Sequence, residues 1–139
     1  MLSDVDLIVD GISAEPSTFT SFQRRVAHWM QDCFAGHGAD DPVIRGDRFF
    51  EEALEYLQSL GYDFDRIPAL VEYVRNRPPG EPSQEVGGVL VTLAASCNQA
   101  GIFMRQAAET EITRITDPQV MERIREKERG KLNIHGPLP

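Results

Sequence analysis

Three carboxylates lie in an amphipathic stretch of the chain, RFFEEALEYLQSLG, at residues 48–61. Its apolar residues recur at the three- and four-residue steps of a helix, and Glu51, Glu52 and Glu55 stand among them. Residues at these spacings share a helix face, so Glu52 and Glu55, or Glu51 and Glu55, can direct their carboxylates to one point. Such a pair is stable if it is solvated, shares a proton, is matched by cations, or holds a hard divalent cation such as Mg²⁺.

A third acid, Glu85, opens another apolar stretch, SQEVGGVLVTLAASCNQAG, at residues 83–101. A glutamate in the first turn of a helix can be present only because it stabilises the helix dipole. No further acid follows Glu85 before Glu109, however. If this helix packs against the helix of Glu52 and Glu55, three carboxylates converge in apolar surroundings, and a bound cation would explain such a group.

Helical periodicity dominates the rest of the chain, with almost nothing that alternates like a strand. Besides the acidic helix, which we expect to begin after the break GHGADDPVIRGD, the pattern predicts helices near residues 18–34, through 67–74 with an end before Pro78, and near 83–100, 103–115 and 119–131. Pro68 must lie in a first turn, Ser83 is the expected cap of the fourth helix, and Gly101 its expected end. This fourth helix is apolar nearly all round, so we expect it to be the most buried.

These elements predict an all-α fold, with a core like a four-helix bundle and additional short helices. The expected organisation is an N-terminal arm at residues 1–17, one domain at 18–131 and a tail at 132–139. Bundles of this kind commonly build metal sites from carboxylates on facing helices.

Composition and charge restrict the partners and the compartment. The formal charge of -8 would repel polyanions, so we expect neither a nucleic-acid polymer nor an anionic membrane as a partner. The two cysteines are expected to be reduced thiols, which favours the cytoplasm. We expect a soluble protein, because the chain has no stretch of roughly 20 apolar residues and its start lacks the basic flank of a secretory signal.

Basic residues concentrate near the C-terminus, where they form either a solvated helix face or a cationic patch for a small polyanion such as a nucleotide phosphate. They are Arg114, Arg123, Arg125, Lys127, Arg129 and Lys131. Arg48 stands one turn before Glu52, where an ion pair within the helix and a phosphate contact are both open.

The two acidic stretches, RFFEEALEYLQSLG and PSQEVGGVLVTLAASCNQAGI, together resemble the MazG-like branch of the all-α nucleoside triphosphate pyrophosphohydrolases over residues 22–131. The mark of that family is E-x-x-E, a spacer, then E-x-x-D. Glu52 and Glu55 match the first pair and Glu85 matches the third acid. The fourth position is Gly88, which has no side chain, and the spacer is slightly long.

The resemblance implies an enzyme that hydrolyses (deoxy)nucleoside triphosphates to the monophosphate and pyrophosphate. Its metal, Mg²⁺ or alternatively Mn²⁺, would be held by Glu52, Glu55 and Glu85, with Glu51 or Glu55 as general base. By the same resemblance the substrate cations would be Arg125, Lys127 and Lys131, joined by Arg48. A homodimer or dimer of dimers is also implied.

Gly88 leaves two alternatives open. Either Glu51 replaces the missing acid, as a variant design in a bacterial and phage-type subgroup that carries glycine here, or catalysis is weakened or lost. In the second case the chain would be a helical module for nucleotide binding or protein interaction. A di-iron bundle is disfavoured because the sequence contains no Glu-x-x-His pair.

Overall fold

The computed structural model describes residues 18–34 and 41–135, so the predicted N-terminal arm and the last tail residues lie outside the described part. Within these ranges the chain is helical and contains no strand, which confirms the all-α class. The α-helices are α1 (Thr18–Phe34), α2 (Pro42–Ser59), α3 (Ile67–Arg75), α4 (Pro82–Ala100), α5 (Met104–Ile115) and α6 (Pro118–His135), and a 3-10 helix spans Phe64–Arg66. The first residues of the predicted tail therefore continue α6.

The chain divides into two compact units. One unit comprises residues 45–108, and the other contains the described residues up to Ile44 together with residues from Glu109 onward. We refer to them as the central unit and the terminal unit. The predicted acids lie in the central unit, and the basic C-terminal residues lie in the terminal unit.

Aspartates placed before prolines start two of the helices. Asp41 Oδ1 accepts hydrogen bonds from the backbone N–H groups of Val43 (2.9 Å) and Ile44 (3.4 Å), so α2 begins at Pro42. The expectation of a break up to residue 47 was therefore wrong, because the Asp-Pro start outweighs the glycine inside the first turns. Asp117 caps α6 in the same way, 2.9 Å from the backbone nitrogen of Gln119.

Both ends of α4 are set by local interactions. The cap is Glu81 and not Ser83, because the Glu81 carboxylate accepts from the backbone N–H groups of Ser83 (3.0 Å) and Gln84 (2.8 Å). These two donors lower the pKa of Glu81. At the other end Gly101 adopts the left-handed conformation, φ 72° and ψ 29°, which confirms it as the stop. Pro68 lies in the first turn of α3, also as predicted.

The core of the terminal unit forms where α1 meets α6 and the end of α5. Cys33, Phe34, Ile112 and Val120 are buried there. Trp29 packs edge-on against Phe34, with ring centroids 5.6 Å apart, and its indole N–H donates to the carbonyl of Ile115 at 2.8 Å. The C-terminal part of the apolar stripe of α1 thus acts as core, as its helical spacing indicates, whereas Phe19 at the start of the stripe is 64% exposed.

The central unit, in contrast, buries little. The only buried residue of α4 is Cys97, and Val91 remains 70% exposed. The expectation that α4 would be the most buried helix was wrong for the single chain. A helix that is apolar all round needs neighbours on every side, and this unit supplies α2 and the nine-residue α3.

Both cysteines are free thiols, as predicted, and both are buried. Burial raises the pKa of Cys33. In the described ranges no single helix is long and apolar enough to cross a membrane. Taken together, α4 and α5 have the length and apolar composition of a membrane span, but the chain bends by 101° between them.

Candidate functional site

The second half of α2 carries the three predicted acids of the first motif. Glu52 and Glu55 are exposed, and Glu51 is half-buried. Their spacing on a continuous helix places Glu52 and Glu55 one turn apart on one face. Two oxygen donors with this spacing and solvent access suit a hard divalent cation.

Arg48 and Glu51 form an ion pair within α2. Arg48 Nη1 donates to Glu51 Oε2 at 2.6 Å, and the two side chains are only 18% and 35% exposed. The sequence left open whether Arg48 pairs within its helix or contacts phosphate, with Glu52 as the expected partner one turn on. The structure pairs it with Glu51, so the carboxylate nominated as a spare ligand or general base is already engaged by a cation.

A hydrogen bond between side chains fixes where α2 and α4 meet. Tyr56 Oη lies 2.7 Å from Ser96 Oγ. At a rise of about 1.5 Å per residue, Glu52 lies ~6 Å from Tyr56 along α2, and Glu85 lies ~16 Å from Ser96 along α4. Counted along the backbones from this contact, without the lengths of the side chains, Glu52 and Glu85 are therefore about 10 Å or more apart in axial position.

Glu85 itself is exposed in the first turn of α4. Its carboxylate folds back against Gly80, where a Cβ on residue 80 would overlap Glu85 Oε1. Among residues 18–34 and 41–135, no three His, Cys, Asp or Glu side chains form a group that could hold a metal ion. The described structure thus brings Glu52 and Glu55 together and leaves Glu85 apart from them.

The position of the missing acid is open on the surface of α4. A Cβ built at Gly88 meets no heavy atom within 4 Å, and the same is true at Gly87. Nothing steric therefore excludes an aspartate at residue 88, one turn from Glu85.

We expect Gly88→Asp to fold normally and to tighten Mn²⁺ binding by about tenfold, because it adds a carboxylate ligand beside Glu85. Gly87→Asp is the matched control, since it adds the same charge at a position about 100° further round the helix. Calorimetric titration of both variants with Mn²⁺ measures the effect. Equal affinities for the two variants would attribute the gain to net charge alone.

The predicted substrate cations have different environments. Arg125 donates from Nε to the carbonyl of Cys33 (2.8 Å), from Nη2 to that of Asp32 (3.0 Å), and from Nη1 to Glu122 Oε2 (3.0 Å). It therefore caps the end of α1, where helix carbonyls lack intrahelical donors. Lys127 is exposed and Lys131 half-buried on α6. The capping role was not visible in the sequence, because it depends on a residue more than ninety positions away.

No family model, curated protein or solved structure matches this chain. The resemblance to the MazG-like enzymes therefore depends on its motif residues alone, above all Glu52, Glu55 and Glu85.

Proposed function

We propose that the chain is a Mg²⁺-dependent nucleoside triphosphate pyrophosphohydrolase of MazG-like type, which converts a (deoxy)nucleoside triphosphate and water to the monophosphate and pyrophosphate. The observation that carries the proposal is the solvent-exposed pair Glu52 and Glu55, one turn apart on α2, in the E-x-x-E motif. Glu85 at the start of α4 is the third acid of the same pattern.

The carboxylate oxygens of Glu52 and Glu55 fit Mg²⁺, with Mn²⁺ as the alternative. When bound, the ion neutralises phosphate charge and lowers the pKa of a coordinated water. Glu85 would have to leave its position against Gly80 to join them. Glu85 is exposed and its side chain is flexible, but α2 and α4 would also have to shift along their axes relative to one another.

Proton transfer is assigned to Glu55 in preference to Glu51. A general base must accept a proton from the attacking water within hydrogen-bond reach. Glu51 is engaged by Arg48, so its carboxylate is less available to accept a hydrogen bond from the attacking water. The ion pair suits a positioning role for Glu51 on the face of α2.

For phosphate contact we favour Lys127 over Arg125 and Arg48, and we keep Lys131 as a second lysine candidate. Lys127 is exposed on α6, whereas the guanidinium groups of Arg125 and Arg48 already donate to protein acceptors. A lysine ammonium is a point charge with three donors and needs no fixed plane to bind a phosphate.

A homodimer or dimer of dimers is proposed because the central unit exposes many apolar side chains. Large ones include Phe49, Tyr73, Val86, Val91 and Phe103. When a protein exposes many large apolar side chains, they more often belong to an interaction site than to surface that stays in contact with solvent. Sedimentation equilibrium should give at least twice the 15.6 kDa chain mass, and a monomer at micromolar concentration would contradict the assembly.

We also assign the protein to the cytoplasm, without a nucleic-acid polymer or membrane as partner, in line with its charge and two free thiols.

The test of the activity is pyrophosphate release from a panel of ribo- and deoxyribonucleoside triphosphates, with Mg²⁺, with Mn²⁺ and with a chelator. Metal-dependent release of equal amounts of monophosphate and pyrophosphate would establish the reaction. Release of inorganic phosphate alone would assign a different hydrolase.

A second candidate is a nucleotide-binding or protein-interaction module without turnover. Two observations favour it: Gly88 supplies no fourth acid, and no three of the described carboxylates come together in a group that could hold a metal. Nucleotide binding by calorimetry with no release of pyrophosphate from any member of the panel would select this candidate.

A further inference from the structure

A groove of about 320 Å³ opens between α1 and the end of α5 in the terminal unit. It contains none of the acids in the proposed catalytic site. The α1 side of the groove is a single stripe of residues at helical spacing. The lining residues are Arg25, His28, Trp29, Asp32, Ile112, Thr113 and Thr116.

The hydroxyl and indole groups of this groove already donate their hydrogens to backbone carbonyls. Thr113 Oγ1 donates to the carbonyl of Glu109 at 2.9 Å, and Thr116 Oγ1 donates to the carbonyl of Thr113 at 2.8 Å. The Trp29 N–H donates to Ile115. Because each hydroxyl has one hydrogen and two lone pairs, both threonines offer only acceptors to a ligand.

The charges in the groove are unequally compensated. Arg25 donates two hydrogen bonds to the Glu109 carboxylate, at 2.8 and 2.5 Å, and this pairing raises the pKa of Arg25. In the described part of the chain no group donates a hydrogen bond to the carboxylate of Asp32. Arg25 is therefore neutralised by Glu109, while the Asp32 carboxylate retains its capacity to accept. His28, one turn before Asp32 on α1, is the other basic side chain that lines the groove.

We propose that this groove binds an organic ammonium compound with an apolar body. The ammonium group donates to Asp32 and to the threonine acceptors, and the body lies against Trp29 and Ile112. A cation next to an indole ring gains further attraction from the ring quadrupole. The net charge of -8 favours the approach of such a ligand over that of an anion.

Trp29 is the only tryptophan of the chain, so its fluorescence reports on the groove. The probes are benzylammonium, benzyl alcohol and phenylacetate, which share a phenyl ring and differ in charge. We expect a saturable change in Trp29 emission with benzylammonium, at least about tenfold weaker binding of the alcohol, and no saturation with phenylacetate. Equal affinities for the three probes, or no saturable change with benzylammonium, would overturn the proposal.

Two variants with the same loss of charge locate the site. Asp32→Asn should weaken benzylammonium binding by about tenfold, because a charge-assisted hydrogen bond is lost. Asp65→Asn, in the 3-10 helix of the central unit, should leave it within about twofold. Circular dichroism establishes that both variants are folded. If Asp32→Asn binds as tightly as Asp65→Asn, the groove is not the site.

Discussion

Glu52→Gln and Glu55→Gln are each expected to lower metal-dependent pyrophosphate release by at least about 100-fold. Each substitution replaces a charged oxygen donor by a neutral amide of the same size, which weakens the hold on Mg²⁺. Both side chains are exposed on α2, so the free energy of unfolding should change by no more than about 0.5 kcal/mol. The measurement is pyrophosphate release at saturating nucleotide, together with Mn²⁺ affinity by calorimetry.

Two further glutamates separate the roles of the acids. Glu126→Gln, on the exposed face of α6, should retain full activity and controls for the loss of one charge. Glu51→Gln should retain most activity, because Glu51 is paired with Arg48 and acts by positioning. If Glu51→Gln abolishes turnover while Mn²⁺ affinity is unchanged, Glu51 is the base. If Glu52→Gln and Glu55→Gln behave like Glu126→Gln, the acidic pair has no catalytic part.

Helix existence was predictable from this sequence because the signals are local. The spacing of apolar residues predicted α1 with the bounds observed, and the left-handed Gly101 ends α4 as predicted. The errors are also local and concern competing caps. Asp41 started α2 earlier than expected, and Glu81, not Ser83, satisfies the first N–H groups of α4.

The arrangement of the acids could not be predicted in the same way, because it depends on contacts between distant parts of the chain. Helical spacing alone places Glu52 and Glu55 together. Glu85 would lie beside them only if the first turn of α4 packed next to Glu52 and Glu55 on α2. The hydrogen bond between Tyr56 and Ser96 instead places the contact further along α4. The exposure of α4 could not be predicted for the same reason. Apolar residues indicate that a helix is stabilised by packing, but they do not show whether the packing partner belongs to the same chain.

Arg125 shows how a charged residue can fit two roles in the sequence and only one contact pattern in the fold. Composition placed it in a cationic patch, and the basic neighbours on α6 supported that interpretation. Two of its three hydrogen bonds instead join α6 to the last turn of α1, and the third pairs it with Glu122 on α6 itself. A guanidinium suits this task because its planar fork can serve two adjacent carbonyls at once.

Arg125→Ala is therefore expected to destabilise the terminal unit by about 2 kcal/mol, roughly a 30-fold change in the folding equilibrium. The carbonyl of Cys33, in a buried residue, loses its 2.8 Å donor. The carbonyl of Asp32 can turn to water, and the Glu122 pair is exposed, so their loss adds less. Urea unfolding followed through Trp29 fluorescence measures the shift, since Trp29 lies in the same unit.

Arg123→Ala is the matched control, because Arg123 is an exposed arginine on the same helix and its loss should cost less than about 0.5 kcal/mol. Arg125→Lys should recover only part of the stability, since a single ammonium cannot reproduce the fork that reaches both carbonyls. A different pattern would contradict the capping role: Arg125→Ala as stable as the parent, with nucleotide affinity lost in the folded protein. That result would support the phosphate-binding role that the sequence predicted for Arg125. It would also mean that losing its hydrogen bonds to α1 changes the free energy of unfolding very little.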